Sequence, residues 1–127
     1  MRNRVLVVDD ELMILGMLKQ VLGEDGYDVE CVPSAEAALS LLDTENILVF
    51  FLDLNLPGMN GIELCRRIKK EKPLSCIHMM TGYPNMFELS DCREAGCDDY
   101  FVKPFEIQLI RDSAKHAFVK LQRWIKD

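Results

Sequence analysis

The sequence predicts an α/β domain in which a parallel β-sheet carries helices on both faces. Five short apolar runs alternate with five segments of helical periodicity, which is the pattern of repeated βα units. With 49% hydrophobic and 28% charged residues in a chain of 127, the protein can bury a sizeable core and stay dissolved. We therefore expect residues 1–127 to form one domain.

Each element of this prediction rests on local patterning. The predicted strands cover residues 4–8, 27–32, 47–52, 75–80 and 98–102. The predicted helices cover residues 11–24, 34–44, 61–71, 86–95 and 106–126. The first helix has apolar residues spaced three and four apart from Ile14 to Leu22. Ser34 is a suitable N-cap for the second helix, and Pro73 ends the third. The fourth has the weakest apolar stripe, so we expect it to be the most weakly anchored.

The composition of the strands indicates their order in the sheet. Residues 5–8 and 47–52 are continuously apolar, as expected for central strands that are covered on both faces. Residues 27–32 instead alternate between apolar and acidic side chains, which is typical of an edge strand. With the second strand at the edge, the first and third become neighbours. The predicted architecture is a doubly wound, flavodoxin-like sheet of order 2-1-3-4-5.

Charge and cysteine content exclude several classes of protein. A net charge of -6 argues against unaided nucleic-acid binding, which needs a basic surface. No secretory signal and no apolar run long enough for a membrane span are found, so we expect a cytoplasmic protein. The five cysteines are odd in number and lack a CxxC pair, which favours reduced thiols over disulfides. A redox pair of Cys92 and Cys97 is the alternative.

Polar side chains follow four of the predicted strands. They are Asp9 and Asp10, Asp53, Thr81, and Lys103. Because the carboxyl ends of parallel strands lie at one edge of a sheet, we expect these five side chains to converge there. Three carboxylates, a hydroxyl and an ammonium group are typical of a site for a hard cation and a phosphoryl group.

The chemistry of this cluster suggests distinct roles for its members. Three adjacent carboxylates repel one another, and a divalent cation such as Mg²⁺ would remove that repulsion. A carboxylate can also attack phosphorus to form an aspartyl phosphate. Asp53 is the best candidate nucleophile because its strand lies between the Asp9–Asp10 pair and Thr81. Mg²⁺, Lys103 and Thr81 would then each neutralise or bind one phosphoryl oxygen.

Four motifs in this order and spacing identify a family resemblance. They are Val8-Asp9-Asp10-Glu11, Asp53-Leu-Asn-Leu-Pro-Gly-Met-Asn-Gly61, Thr81-Gly82 and Tyr100-Phe-Val-Lys-Pro-Phe105. Over nearly its whole length the chain resembles a bacterial two-component response-regulator receiver domain of the chemotaxis type. The resemblance implies that a histidine kinase or histidine phosphotransfer protein phosphorylates Asp53. It also implies a signalling domain that turns over no metabolite.

The resemblance further implies how the site is built. Asp10 and Asp53 would hold Mg²⁺, for which Mn²⁺ can substitute, with Asp9 acting through water and Asn55 through its backbone carbonyl. Thr81 and Tyr100 would form the switch pair, and Lys103–Pro104 a cis peptide bond. Asn55 and Tyr83 would tune hydrolysis of the phosphoaspartate, with the Tyr83 ring as a shield. Phosphorylation would reshape the face formed by the fourth helix, fifth strand and fifth helix.

Apolar residues beside the site suggest a docking patch for a kinase helix. The predicted docking residues are Leu12, Met13, Ile14, Leu15, Pro104 and Phe105. Partial burial and chance exposure are the alternative, because scattered exposed apolar residues are normal.

The last predicted helix, residues 106–126, is longer than the sheet requires. It would span ~32 Å, against ~20 Å for a six-residue strand. It could be an ordinary packed helix, a phosphorylation-dependent dimer contact, or a connection to an output domain absent from this chain.

Other functions remain as alternatives. The same module could be cut from a hybrid histidine kinase or from a DNA-binding transcriptional regulator. An aspartate-nucleophile phosphatase and an FMN carrier are less favoured, because the chain lacks an Asp-x-Asp motif after its first strand and a glycine-rich phosphate loop there.

Overall fold

The computed structural model describes residues 3–125 and shows a five-stranded parallel sheet between two layers of helices. The strands are β1 (Arg4–Val8), β2 (Asp28–Val32), β3 (Val49–Asp53), β4 (Cys76–Thr81) and β5 (Asp99–Val102). The helices are α1 (Leu12–Glu24), α2 (Ala35–Leu42), α3 (Gly61–Glu71), α4 (Met86–Glu94) and α5 (Ile107–Trp124). The strand order is β2-β1-β3-β4-β5, which confirms the predicted fold. No helix in this part of the chain is long and apolar enough to cross a membrane.

The element boundaries agree with the predicted ones to within two residues. β3 starts at Val49 rather than at position 47, and β3 and β4 extend to include Asp53 and Thr81. Ser34 caps α2 by accepting a hydrogen bond from the Ala37 N–H (3.1 Å), as predicted. α5 ends at Trp124, so the predicted limit of 126 is too long; positions 126 and 127 lie outside the described residues.

Two hydrophobic cores lie on opposite faces of the sheet. One is built under α1 and α5 and contains Phe51 and Leu18, and the other lies under α2, α3 and α4 and contains Phe50 and Leu64. Successive residues of a strand point to opposite faces, so β3 supplies both cores and is buried along its whole length. Burial of each such side chain contributes about 1.5–3 kcal/mol, which fixes the central strands that carry the site.

The first core contains one residue of the predicted docking patch. Leu15 is buried in the core with Leu18 and Leu22, so little of it can meet a partner. The physical reason is helical spacing: residues 15, 18 and 22 are three and four apart and therefore share one face of α1. The burial of Leu15 therefore argues against its predicted docking role, which stays a prediction.

The loop between β3 and α3 is anchored at both ends. Gly61 opens α3 so close to β3 that an added Cβ would collide with the Asp53 carbonyl oxygen and lie 3.0 Å from the Leu54 Cα. The Asn60 side chain caps α3, accepting a hydrogen bond from the Glu63 N–H (3.0 Å). This contact of backbone with backbone allows only glycine at position 61, and it fixes the loop next to Asp53.

Helix α4 is the most weakly anchored helix, as its sequence predicted. Cys92 is the one buried residue within its bounds, whereas Met86 and Phe87 at its start are exposed. Few buried apolar contacts mean a small free energy for local opening. α4 is therefore the element that can move most easily next to β5.

Candidate functional site

Three aspartates meet at the carboxyl-terminal edge of the sheet, as predicted. One carboxylate oxygen from each of Asp9, Asp10 and Asp53 lies within 4.8 Å of the others. Asp9 is fully buried and Asp53 is 4% exposed, whereas Asp10 is open to solvent. Oxygen donors at this spacing, with one side open, suit a hard divalent cation that keeps some of its water.

Backbone hydrogen bonds hold the two buried carboxylates in place. Asp9 Oδ1 accepts a hydrogen bond from the Glu11 N–H at 2.8 Å, and the Asp9 N–H donates to the Val32 carbonyl of β2. Asp53 Oδ1 accepts a hydrogen bond from the Asn55 N–H at 3.2 Å. Each aspartate thus ends its strand in a turn of the Asx type, which positions its side chain over the sheet edge.

Lys103 joins the end of β5 to the acidic cluster. Its Nζ donates to Asp9 Oδ2 (2.8 Å) and to Glu11 Oε1 (3.0 Å), and lies 3.7 Å from Asp53 Oδ1. Burial lowers the pKa of Lys103, but the hydrogen bonds to Asp9 and Glu11, together with the charges of Asp53 and Asp9, raise the pKa overall. The Lys103–Pro104 bond is cis, as predicted.

Glu11 is a site residue that the sequence prediction missed. The motif that contains Glu11 predicted no role for it, although its carboxylate accepts one of the two hydrogen bonds that Lys103 donates. These two residues are 92 positions apart, so only the assembled sheet brings them together. Its place directly after the two aspartates was the one available signal.

The surroundings of Asp53 disfavour the negative charge of its carboxylate. Burial raises the pKa of Asp53 to about 6, and the Asp9 charge adds to the rise. The Lys103 charge and the hydrogen bond from the Asn55 N–H oppose this shift without cancelling it. The carboxylate repulsion expected from the sequence is therefore present, and a cation in the cluster would relieve it.

Thr81 and Tyr100 lie on neighbouring strands with different exposure. Thr81 is buried at the end of β4, and its hydroxyl accepts a hydrogen bond from the Tyr83 N–H at 3.2 Å. The Tyr83 ring is 83% exposed, and Tyr100 on the edge strand β5 is 46% exposed. The hydroxyl thus lies at the site edge while both rings face outward. Their roles as switch pair and as shield stay predictions.

The remaining docking residues differ in accessibility. Leu12 and Met13 are among the most exposed apolar side chains described, at 80% and 87%. Pro104 is exposed, whereas Ile14 and Phe105 are partly buried against the first core. The accessible patch therefore consists mainly of Leu12, Met13 and Pro104.

The sequence of this chain matches that of a known protein family. The family model described as response regulator receiver domain matches residues 5–115. The chain belongs to this family. Its sheet order, its acidic cluster and its lysine after β5 all lie within the matched region.

Curated relatives show the range of proteins that contain this receiver domain. The chain is 38% identical over 105 residues to the alkaline phosphatase synthesis transcriptional regulatory protein PhoP of Bacillus subtilis (strain 168), covering 83% of the chain and 44% of PhoP. It is 32% identical over 115 residues to sporulation initiation phosphotransferase F of the same strain, covering 91% and 93%. The chain thus spans less than half of one relative and nearly all of another.

Solved structures agree with the fold. A CheY-like receiver domain protein from Methanospirillum hungatei JF-1 superposes with a TM-score of 0.93 at 30% identity, covering 98% of this chain and 100% of that one. The beryllofluoride-activated DrrB receiver domain gives 0.86 at 30% identity, covering 93% and 98%. This receiver domain therefore shares its whole architecture with response regulators of two-component systems.

Proposed function

We propose that this receiver domain is the phosphoacceptor switch of a two-component phosphorelay, with Asp53 as the phosphoacceptor. The observation that carries the proposal is the setting of its carboxylate. Asp53 is 4% exposed at the sheet edge, within 4.8 Å of oxygens from Asp9 and Asp10 and 3.7 Å from Lys103 Nζ. A fixed nucleophile beside two metal-binding carboxylates and one cation suits phosphoryl transfer, where catalysis is mainly positioning and charge neutralisation.

The residues present fit a Mg²⁺ ion. Asp9, Asp10 and Asp53 would supply carboxylate oxygens, and Asn55 its backbone carbonyl. The pKa of Asp53 is raised chiefly by burial and then by the Asp9 charge, and a bound cation would oppose both effects. When bound, Mg²⁺ or Mn²⁺ would neutralise charge on the transferring phosphoryl group.

The transfer step uses groups that are already at the site. An Asp53 carboxylate oxygen forms a bond to phosphorus while the bond from phosphorus to the donor imidazole nitrogen breaks. The electron pair stays on that nitrogen, which takes a proton from solvent. Lys103, now bound to Asp9 and Glu11, would move to one phosphoryl oxygen, and the Thr81 hydroxyl would donate to another.

The output of the switch would pass through α4, β5 and α5. Thr81 would move toward the phosphoryl group, and Tyr100 would turn inward into the space that it leaves. The weak anchoring of α4 supports this, because a phosphoryl group shifts the equilibrium only by its differential contacts with the two arrangements. The domain would take up and lose a phosphoryl group without turning over a metabolite.

The partners follow from the same proposal. A histidine kinase or histidine phosphotransfer protein would deliver the phosphoryl group at the patch of Leu12, Met13 and Pro104. An effector, a second copy of the chain or an output domain would meet the α4–β5–α5 face. Direct contact with nucleic acid is not part of the proposal, since the net charge is -6.

Intact-mass measurement after incubation with acetyl phosphate and Mg²⁺ tests the central claim. We expect the added mass of one phosphoryl group, and its loss on treatment with hydroxylamine, which cleaves acyl phosphates. Asp53→Ala should abolish the addition, whereas Asp43→Ala, a change of an exposed carboxylate outside the cluster, should not. Addition that survives in Asp53→Ala would refute the assignment.

The shielding role of Tyr83 has its own test. Tyr83 lies two residues after Thr81, its ring is exposed, and its N–H donates a hydrogen bond to the Thr81 hydroxyl. We expect Tyr83→Ala to shorten the half-life of the phosphoaspartate. Phe87→Ala, which removes another exposed ring from the start of α4, serves as the control and should leave the half-life unchanged. Equal half-lives in all three proteins would contradict shielding.

A further inference from the structure

Both histidines of this chain line a single pocket that lies apart from the phosphoacceptor. The pocket has a volume of about 120 Å³ and lies between β4, the start of β5 and α5; its polar lining includes Cys76, His78, Asp99, Ser113, His116 and Lys120. Cys76 and Asp99 are the first residues of their strands, so the pocket opens toward the amino ends of the sheet, opposite the Asp53 edge. Its volume corresponds to roughly four waters, which is enough for a metal ion that keeps part of its hydration.

His78 is held in one orientation and one tautomer. Its ring stacks on Phe51 with centroids 4.4 Å apart, and its Nδ1 lies 2.9 Å from the Phe50 carbonyl oxygen. A carbonyl can only accept, so Nδ1 carries the proton and Nε2 keeps its lone pair. Burial lowers the pKa of His78, which favours this neutral form at pH 7.

The geometry of the sheet directs the free nitrogen into the pocket. Phe50 lies on β3, and β5 pairs with β4 on the opposite side. With Nδ1 bonded toward β3, Nε2 lies on the side of β5 and α5. His78 is 4% exposed, and within residues 3–125 Nε2 has no hydrogen-bond partner. A histidine whose Nδ1–H is bonded to a backbone carbonyl is the usual arrangement of a metal-binding imidazole.

Besides His78 and Cys76, three other side chains of this pocket could bind a metal ion, and one of them is not available. Asp99 is the register partner of His78 across β4 and β5, and His116 lines the pocket from α5. Asp98 also lines it, but its carboxylate accepts from the Ile77 N–H and pairs with Lys69. The Asp99 carboxylate accepts a hydrogen bond from the Tyr100 N–H through Oδ1 (2.8 Å), which leaves Oδ2 available. The donor set that remains is two imidazoles and one carboxylate oxygen, with the thiol of Cys76 buried in the same lining.

We propose that this pocket binds a divalent transition-metal ion such as Zn²⁺, through His78 Nε2, His116 and the Asp99 carboxylate. Nitrogen donors of this kind favour zinc over magnesium, and three protein ligands leave a position for water. The donor atoms are not gathered within 4.8 Å of one another in the described residues, so His116 and Asp99, both exposed, must turn inward. Lys120 must turn outward, because its charge would repel the ion.

Titration with zinc tests the proposal in the full chain, purified without a polyhistidine tag. The acidic cluster would also bind cations, so the titrated protein carries Asp10→Asn and Asp53→Asn to remove that site. This double variant is the background for the other substitutions. We expect this background to bind one equivalent of Zn²⁺ by calorimetry. When Co²⁺ replaces Zn²⁺, its visible absorption spectrum should show coordination by histidine side chains. Binding should also raise the unfolding temperature, because the ion links α5 to the sheet.

Two substitutions and one control decide the outcome. His116→Gln should weaken binding at least tenfold, and His78→Phe should do the same while keeping a ring stacked on Phe51. Lys115→Gln, at the exposed position next to His116, should leave the affinity unchanged. The absence of zinc binding in the background, or equal affinity in His116→Gln, would overturn the proposal. Because His116 is exposed, its variant decides the question even if His78→Phe fails to fold. This result is independent of phosphorylation at Asp53.

Discussion

Replacing Asp53 by asparagine should stabilise the fold at neutral pH. The folded protein raises the pKa of this carboxyl from 3.8 to about 6, chiefly through burial and then through the Asp9 charge. A difference of about 2 pKa units between folded and unfolded states corresponds to about 3 kcal/mol. Because Asp53 is almost fully buried, solvent screening reduces this only slightly, and we take about 3 kcal/mol as the upper limit.

The size of this stabilisation depends on pH, and it changes between the unfolded and folded pKa values of Asp53. Below about pH 4 the carboxyl is protonated in both states, so its ionisation costs nothing. As pH rises from about 4 to 6, the unfolded chain ionises first, and the free energy of unfolding falls. Asparagine imitates the protonated form, so Asp53→Asn should gain up to about 3 kcal/mol at pH 7.5 and little at pH 4.

Urea unfolding followed by circular dichroism between pH 4 and 7.5, with chelator present, measures this difference. Asp43→Asn, at an exposed carboxylate, is the control and should change the free energy of unfolding by less than about 0.5 kcal/mol. Mg²⁺ should stabilise wild type more than Asp53→Asn and so reduce the gain. A variant that is less stable than wild type at pH 7.5, or equally stabilised at both pH values, would refute the electrostatic account.

Three further outcomes follow from the packing. Gly61→Ala should lower the free energy of unfolding by about 3 kcal/mol in urea, because the added Cβ would collide with backbone atoms. Gly16→Ala is the control: its Cβ would have no atom within 4 Å, so the free energy of unfolding should rise by about 0.5–1 kcal/mol. Equal effects of the two substitutions would contradict the backbone contact at Gly61. Leu15→Glu should cost more than about 3 kcal/mol by burying a charge, whereas Met13→Glu should leave stability unchanged and slow phosphotransfer; the reverse pattern would restore Leu15 to the docking surface. Burial raises the pKa of Cys65 to about 12. Iodoacetamide should therefore alkylate Cys65 at least about a thousandfold more slowly than free cysteine, and rapid labelling of Cys65 itself in the folded protein, located by peptide mass, would contradict this.

Strand order was predictable because the degree of burial of a strand determines which of its residues must be apolar. A strand covered on both faces needs apolar residues at every position, as in Val49–Leu52, whereas the edge strand β2 can alternate. Those two patterns placed the first and third strands side by side. The convergence of Asp9, Asp53 and Lys103 then followed from parallel topology, without any knowledge of side-chain geometry.

What could not be predicted depends on rotation and on distant contacts. Whether Leu15 faces the core or solvent depends on the rotation of α1 about its own axis. The apolar residues from Ile14 to Leu22 are compatible with either orientation of Leu15. The pairing of Lys103 with Glu11 needs the ends of β1 and β5 in place, although no strand pair joins them directly. The requirement for glycine at position 61 depends on an approach of two backbones that no local pattern records.

The hydrogen bonds of Lys103 restrict when this side chain can leave the acidic cluster. Its two hydrogen bonds go to Asp9 and Glu11, while the Asp53 carboxylate lies 3.7 Å away, beyond hydrogen-bond distance. If Lys103 left for a phosphoryl oxygen, the fully buried Asp9 would keep an unpaired charge, which is costly in a protein interior. The lysine can therefore move only when another positive charge compensates Asp9. This couples the acidic cluster to Lys103, and for that reason we expect phosphoryl uptake at Asp53 to depend on a divalent cation.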